Sequence, residues 1–350
     1  MRNRNNNDKL IRAVKIRLRY ATDKKQRAVK ALMESYRGAV NFYIKSLWNE
    51  KGKMNSETLA RLENTRLSER YKSQALKQAM EIVIGAKKSI SAINKNCKKK
   101  RRIKNIPKFN GVAVLDSKFV DIEKARTKEF DYWLKLSTLK KRKRIALPIT
   151  STAVLNKWLS VPLAQLKQGC GLGVDSDGVP FVILYVEMPK LPVREKGKKL
   201  GCDVGQNKLI ALSDGRMYGR EMKEILDKIN RRKHGSKGKQ KALRERDNYL
   251  GYILNQLPYN EISLLVTEDL RGIKYGKNSK RNKAFRRKSA AWTVARLMER
   301  LEHKCEENRV LYVTVPPFYT SQTCPKCSYV AEDNRKNEVF KCIKCGYLDD

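Results

Sequence analysis

Residues 13–20, AVKIRLRY, alternate Val14, Ile16, Leu18 and Tyr20 with Lys15, Arg17 and Arg19. That period of two predicts a strand with one buried and one cationic face. After Thr22 and Asp23, which suit a helix start, Val29, Leu32, Met33, Tyr36, Val40, Tyr43, Ile44 and Leu47 recur every three or four residues. They predict an amphipathic helix to about Glu50. A second helical stretch is predicted over 56–93 with a break near Gly85, so a helical insert would follow the first strand.

Residues 98–104 interrupt this pattern, with only Ile103 uncharged, and predict a basic connector. From 112 to 187 the pattern turns to short strands, among them KRIALPI and GLGVDSDGVPFVILYVEM, with a hairpin turn at DSDG (175–178). With the first strand these would close a small barrel. PKLPVREKGKK (189–199) predicts a domain boundary. Beyond it come the strands LGCDVG, LIALS and RMYG, a basic helical region (220–258) and the strand ISLLVTEDL (262–270). A basic loop (271–288), a helix from Ser289 and the strand VLYVTV (310–315) follow.

Composition sharpens this multidomain α/β picture. A chain of 350 residues is long enough for two to four units. Its 78 Lys and Arg against 36 Asp and Glu give a net charge of +42, which a polyanion would neutralise, and nucleic acid is the expected one. A signal-like N-terminus and a long apolar run are both missing, so a soluble, cytoplasmic protein without a membrane partner is expected.

Asp203 lies in the first apolar strand after the boundary, and Glu268 ends a later one. Two readings stay open for each: a turn or strand-end residue, or one of a pair of carboxylates holding Mg²⁺ for phosphodiester chemistry. The order of strand, hairpin, helical stretch and strand fits an RNase H-like topology, in which such carboxylates meet. Asp214 precedes Gly215 between two strands and reads as a hairpin turn.

Of eight cysteines, four form two C-x-x-C pairs, Cys324/Cys327 and Cys342/Cys345, with 14 residues between the pairs. This spacing predicts a structural zinc site, and a set of four thiolates leaves the metal no open position for catalysis. Cys97, Cys170, Cys202 and Cys305 lack such partners, and His234 and His303 read as solvated or satisfied side chains.

LGCDVGQNKLIALSDG, LLVTEDLRGI, VPPFYTSQTCPKC and FKCIKCGYLDD, in that order, resemble the TnpB/OrfB proteins of insertion sequences, relatives of the miniature type V CRISPR effectors. AVKIRLRY and KRKRIALPI extend the resemblance over nearly the whole chain. It implies an RNA-guided DNA endonuclease with guide RNA and target DNA as partners. The implied layout is an N-terminal small β-barrel (wedge, 1–20 and 105–192) with a helical recognition insert (21–104). An RNase H-like RuvC domain (196–315) and a C-terminal zinc ribbon (316–350) complete it. Asp203 and Glu268 match the first two RuvC carboxylates, as catalytic Mg²⁺ ligands.

The third RuvC aspartate of that family would fall at about the second residue beyond Asp350, so neither Asp349 nor Asp350 is a confident match. An incomplete site is therefore expected, with cleavage lowered by orders of magnitude. The alternatives are an RNA-guided DNA-binding repressor without nuclease activity and, third, a transposase accessory. Under the resemblance, residues 274–288 would track a single strand into the nuclease cleft.

Overall fold

The computed structural model describes residues 9–49, 66–95, 106–126, 129–140, 142–205, 208–270, 292–336 and 339–349. The expected connector at 98–104, the basic loop at 271–288, Cys97 and Asp350 lie outside them. The chain divides into two compact units, residues 1–190 and 191–350.

In the first unit, β1 (Lys9–Arg17) buries Val14 and Ile16 and leaves the alternate residues towards solvent, as its period requires. Helices α1 (Asp23–Asn49) and α2 (Glu69–Lys95) pack together through Tyr36, whose hydroxyl donates to Gln78 Oε1 at 2.8 Å and whose ring meets Tyr71 edge-on. Burial, with the Glu81 charge adding to it at Tyr36, pushes both phenols far above their ordinary range, so they stay neutral. The helix runs through Gly85 without the expected break. Gly85 is exposed and a side chain there would meet nothing, so its cost is only the ~1 kcal/mol of an exposed helical glycine.

The strands of this unit form two antiparallel sheets instead of one closed ladder. The first has the order β1-β7-β6-β2, with β2 at Ala113–Asp116, β6 at Gln165–Val174 and β7 at Pro180–Pro189. The second is β3 (Val120–Lys124), β4 (Tyr132–Ser137) and β5 (Arg144–Ile149). At an irregularity in β6, Gln168 turns its amide to β3: Nε2 donates to Ile122 O at 3.0 Å, and Oε1 accepts from Ile122 N at 2.9 Å. A side chain thus imitates a ladder step between the sheets. The DSDG segment is the β6–β7 turn, with Asp175 N donating to Val179 O and Gly178 at φ +76°. A short helix, α3 (Ala153–Leu159), interrupts the strand region; Thr152 caps it by accepting from Leu155 N at 3.2 Å.

The second unit is built on a five-stranded sheet of order β10-β9-β8-β11-β12. Strands β8 (Lys198–Asp203), β9 (Ile210–Leu212) and β10 (Met217–Tyr218) are antiparallel, while β11 (Ile262–Glu268) runs parallel to both β8 and β12 (Leu311–Val315). Gly197 lets β8 reach β11: its φ is +143°, and a Cβ there would lie 2.8 Å from Ser263 N.

Helices α4 (Met222–Arg231), α5 (Lys237–Gln256) and α6 (Val294–Glu307) share one core with Leu200, Cys202, Ile210, Leu212 and Leu265 of the sheet. The 220–258 region is two helices because Gly235, at φ +80°, turns the chain between them. Asp247 ties α5 to α6, accepting from Arg246 and Arg296 with its carboxylate and from Arg300 with its carbonyl. A small sheet of β13 (Arg335–Lys336), β14 (Val339–Lys341) and β15 (Leu348–Asp349) ends the described chain. No helix among the described residues is long and apolar enough to cross a membrane.

Candidate functional site

The alternation along β8 sends Leu200 and Cys202 into the core and leaves Gly201 and Asp203 on the opposite, exposed face. Along β11, Leu265 and Thr267 are buried, and Leu264, Val266 and Glu268 are the less covered set. Since Thr267 is paired with Cys202 in the parallel register, Asp203 and Glu268 each come one residue past the last pair. Parallel register partners project to the same side of a sheet. The two carboxylates, 65 residues apart in the chain, thus finish neighbouring strands on one face.

Two contacts fix their surroundings. Asp203 Oδ1 accepts from Val204 N at 2.8 Å, and Glu268 Oε1 accepts from the Thr320 hydroxyl. Thr267, one residue before Glu268, bonds the Tyr312 hydroxyl at 2.8 Å, which joins the end of β11 to β12. Among the described residues, neither carboxylate has a Lys or Arg partner within 4 Å. Hard carboxylate oxygens beside open space suit Mg²⁺.

The pair stands without a third acid: among the described residues, the cysteine quartet is the one group of three or more His, Cys, Asp or Glu side chains that converges. Asp349 pairs its backbone with Phe340 in the small sheet. Asp214 makes a salt bridge with Arg216, the arrangement of a hairpin turn.

The quartet is assembled from two turns of one design. Ser328 N donates to Cys324 O and Cys324 N to Tyr329 O; in the second turn, Gly346 N donates to Cys342 O and Cys342 N to Tyr347 O. Ser328 and Gly346 hold equivalent left-handed positions, φ 56° and 71°. The sulfurs all lie within 4.8 Å of one another, with Cys324–Cys345 and Cys327–Cys342 both at 3.6 Å. Disulfide sulfurs would sit about 2 Å apart. A tetrahedral zinc with Zn–S bonds of about 2.3 Å requires sulfur–sulfur edges of about 3.8 Å, so the quartet fits zinc.

Two of the four thiols are shifted in opposite directions. At Cys342 desolvation is outweighed by the backbone N–H groups of Cys345 and Lys344 together with the Cys327 and Cys345 sulfurs, which draw its pKa down to about 6. At Cys327 the Tyr329 N–H lowers the value, but desolvation and the three neighbouring sulfurs prevail and push it up to about 12. By contrast, burial pushes the Cys170 and Cys202 thiols up to about 12, with the Asp203 charge adding to the effect at Cys202. Both remain protonated packing residues.

Two residues that sequence reasoning passed over hold these features together. Thr320 reaches Glu268 from 52 residues away. Asn334, fully buried, donates from Nδ2 to Gln322 O at 2.8 Å and Tyr329 O at 3.2 Å, and accepts from Ile343 N at 3.0 Å. It stitches the first cysteine turn to the second. A lone Asn between charged residues carries no period or spacing that marks it.

Comparison with known proteins locates the resemblance. Residues 295–350 match the Cas12f1-like TNB domain. Over 57 residues the chain is 37% identical to the CRISPR-associated endodeoxyribonuclease Cas12f1 of Syntrophomonas palmitatica, covering 16% of this chain and 12% of that protein. Over 88 residues it is 36% identical to the TnpB-like protein MJ0012 of Methanocaldococcus jannaschii, covering 25% of this chain and 38% of the relative. The chain therefore spans well under half the length of these curated relatives. A cryo-EM structure of a Cas12f1-sgRNA-target DNA complex covers 94% of this chain and 81% of its own at 16% identity. Its TM-score of 0.43 is too low for the likeness to carry an argument.

Proposed function

We propose that this chain, a TnpB-like relative, is an RNA-guided DNA-binding protein that hydrolyses DNA phosphodiester bonds with Mg²⁺ held by Asp203 and Glu268. The observation that carries the reading is the ending of β8 and β11 in two carboxylates on one face, without a basic partner among the described residues. The strand order β10-β9-β8-β11-β12, antiparallel then parallel, is what an RNase H-like nuclease domain requires. Guide RNA and target DNA are the partners that the charge of +42 favours, since base pairing would read the sequence while the protein holds phosphates.

Asp203 and Glu268 would hold the ion through their oxygens, and Thr320 would keep Glu268 in one orientation by its hydrogen bond. Bound Mg²⁺ supplies Lewis acidity and a nucleophilic water at neutral pH. The cysteine quartet would hold zinc in a structural role, since its four sulfurs leave no open coordination position.

A second reading, an RNA-guided DNA-binding protein that does not cut, is favoured by the convergence of two carboxylates and not three among the described residues. One assay separates the two: plasmid bearing a guide-matched target, incubated with protein, guide and Mg²⁺, beside Asp203→Asn and Glu268→Gln. Cutting that either substitution abolishes supports the nuclease. Target binding without cutting supports the second reading, and equal cutting by all three proteins contradicts the assignment of these carboxylates.

A further inference from the structure

Phe318 and Tyr319 are 77% and 65% exposed, an unusual state for two successive aromatic side chains. They sit on the segment between β12 and the first cysteine turn, directly before Thr320, whose hydroxyl binds Glu268. Their backbone is far from loose. The Tyr319 carbonyl accepts from Gln322 N at 3.0 Å, Thr323 N at 2.9 Å and the Thr323 hydroxyl at 2.7 Å. Tyr319 is also held at φ +62°, a left-handed conformation that costs a non-glycine residue energy and persists only where its surroundings impose it. Pro316 and Pro317 stiffen the approach. The main chain is pinned while both rings are left in water.

We propose that Phe318 and Tyr319 form a stacking platform for unpaired nucleobases of the strand that passes the Asp203–Glu268 pair. Every base offers a π-face, so stacking holds a strand without reading its sequence. A strongly cationic chain attracts the phosphates of that strand, whereas a protein partner for the rings would have to match the same charge. The location beside Glu268 rests on the function proposed above; stacking on the rings does not.

The test uses the full chain in the Asp203→Asn background, with single-stranded DNA carrying 2-aminopurine and an RNA of the same sequence at fixed salt. Binding should quench the probe. Phe318→Ala and Tyr319→Ala should each weaken binding about five-fold or more and reduce the quench. Phe318→Leu should fail to restore either, and Tyr319→Phe should retain both. The two arms show whether DNA, RNA or both are bound.

Unchanged affinity and quench in both alanine variants would overturn the platform, as would absence of binding to either strand. Full function in Phe318→Leu would also overturn it, by assigning the rings to an apolar partner. Ring-dependent quenching beside a wild-type chain that fails to cut in the plasmid assay would sink the nuclease reading and leave this inference standing. Guide-directed cutting by the wild-type chain, with rings dispensable for binding in the Asp203→Asn background, would do the reverse.

Discussion

Glu268 follows Thr267 on β11 and Asp203 follows Cys202 on β8, and Thr267 and Cys202 are register partners in a parallel ladder. Two acids that a long stretch of chain separates are therefore brought to the ends of neighbouring strands by the parallel ladder. Several expectations derive from that arrangement and from the cysteine module linked to it through Thr320.

Thr320→Val removes the hydroxyl that donates to Glu268 while keeping the side-chain volume. Loss of an outer partner of a metal-ligating carboxylate lowers metal affinity or activity about 10- to 100-fold. Mg²⁺ dependence of cleavage should therefore shift to higher concentration in T320V, with recovery in Thr320→Ser. An unshifted Mg²⁺ curve would mean that the hydrogen bond does not orient the ligand.

Cys342→Ser takes away one of the four converging sulfurs. Cobalt bound to the wild-type quartet should give the intense thiolate charge-transfer absorption of a four-sulfur tetrahedral site; C342S should lose intensity and release metal to a weaker chelator. Structural zinc contributes folding energy, so chelation should also expose the backbone of residues 320–349 to hydrogen exchange. Identical cobalt spectra for the two proteins would rule Cys342 out as a ligand.

Asn334→Ala leaves the Ile343 N–H without its partner and takes one of two donors from the Gln322 and Tyr329 carbonyls, which keep the N–H groups of Ala331 and Cys324. The expected cost is about 1–2 kcal/mol, localised to the cysteine module. Chemical denaturation followed by zinc release should show it. A change of only about 0.3 kcal/mol or less would mean that water replaces the amide.

Glu187 on β7 accepts from Lys167 and Lys9, each at 2.7 Å, and these bonds hold its carboxyl down from the ordinary 4.5 to about 2. A depressed folded-state pKa means that the unfolded chain binds the proton more readily. The stabilisation is complete above about pH 4.5 and is lost as pH falls through about 2. Glu187→Gln should therefore be less stable than wild type at neutral pH, with the difference shrinking across that window in urea titrations. A difference independent of pH would contradict the linkage.

The legible parts of this chain are those whose signal is local. The two-residue period of β1 and the three-to-four period of α1 each mark an element that buries one face. Asp203 stands out as a charge inside an apolar strand, Glu268 as one at the end of another, and the cysteine quartet as a spacing. Three features resisted reading because a single residue decided them. Thr152 caps a seven-residue helix inside a run that otherwise alternates like strand. Gly85 looks like a helix breaker, yet lies on an open face where it costs little. Gly235 divides what the composition presents as one basic helix. Thr320 and Asn334 act across long sequence separations, and their polar side chains give no hint of the partner that only folding supplies.

The most direct test of the central claim is a Mn²⁺ titration of the purified full chain, followed by electron paramagnetic resonance. Wild type, Asp203→Asn, Glu268→Gln and the double variant should be compared at one salt concentration. If the two carboxylates share an ion, each single substitution should remove the tightest Mn²⁺ site and the double variant should lose nothing more. Retention of that site in both single variants, or losses that add as if two separate ions were held, would contradict the account.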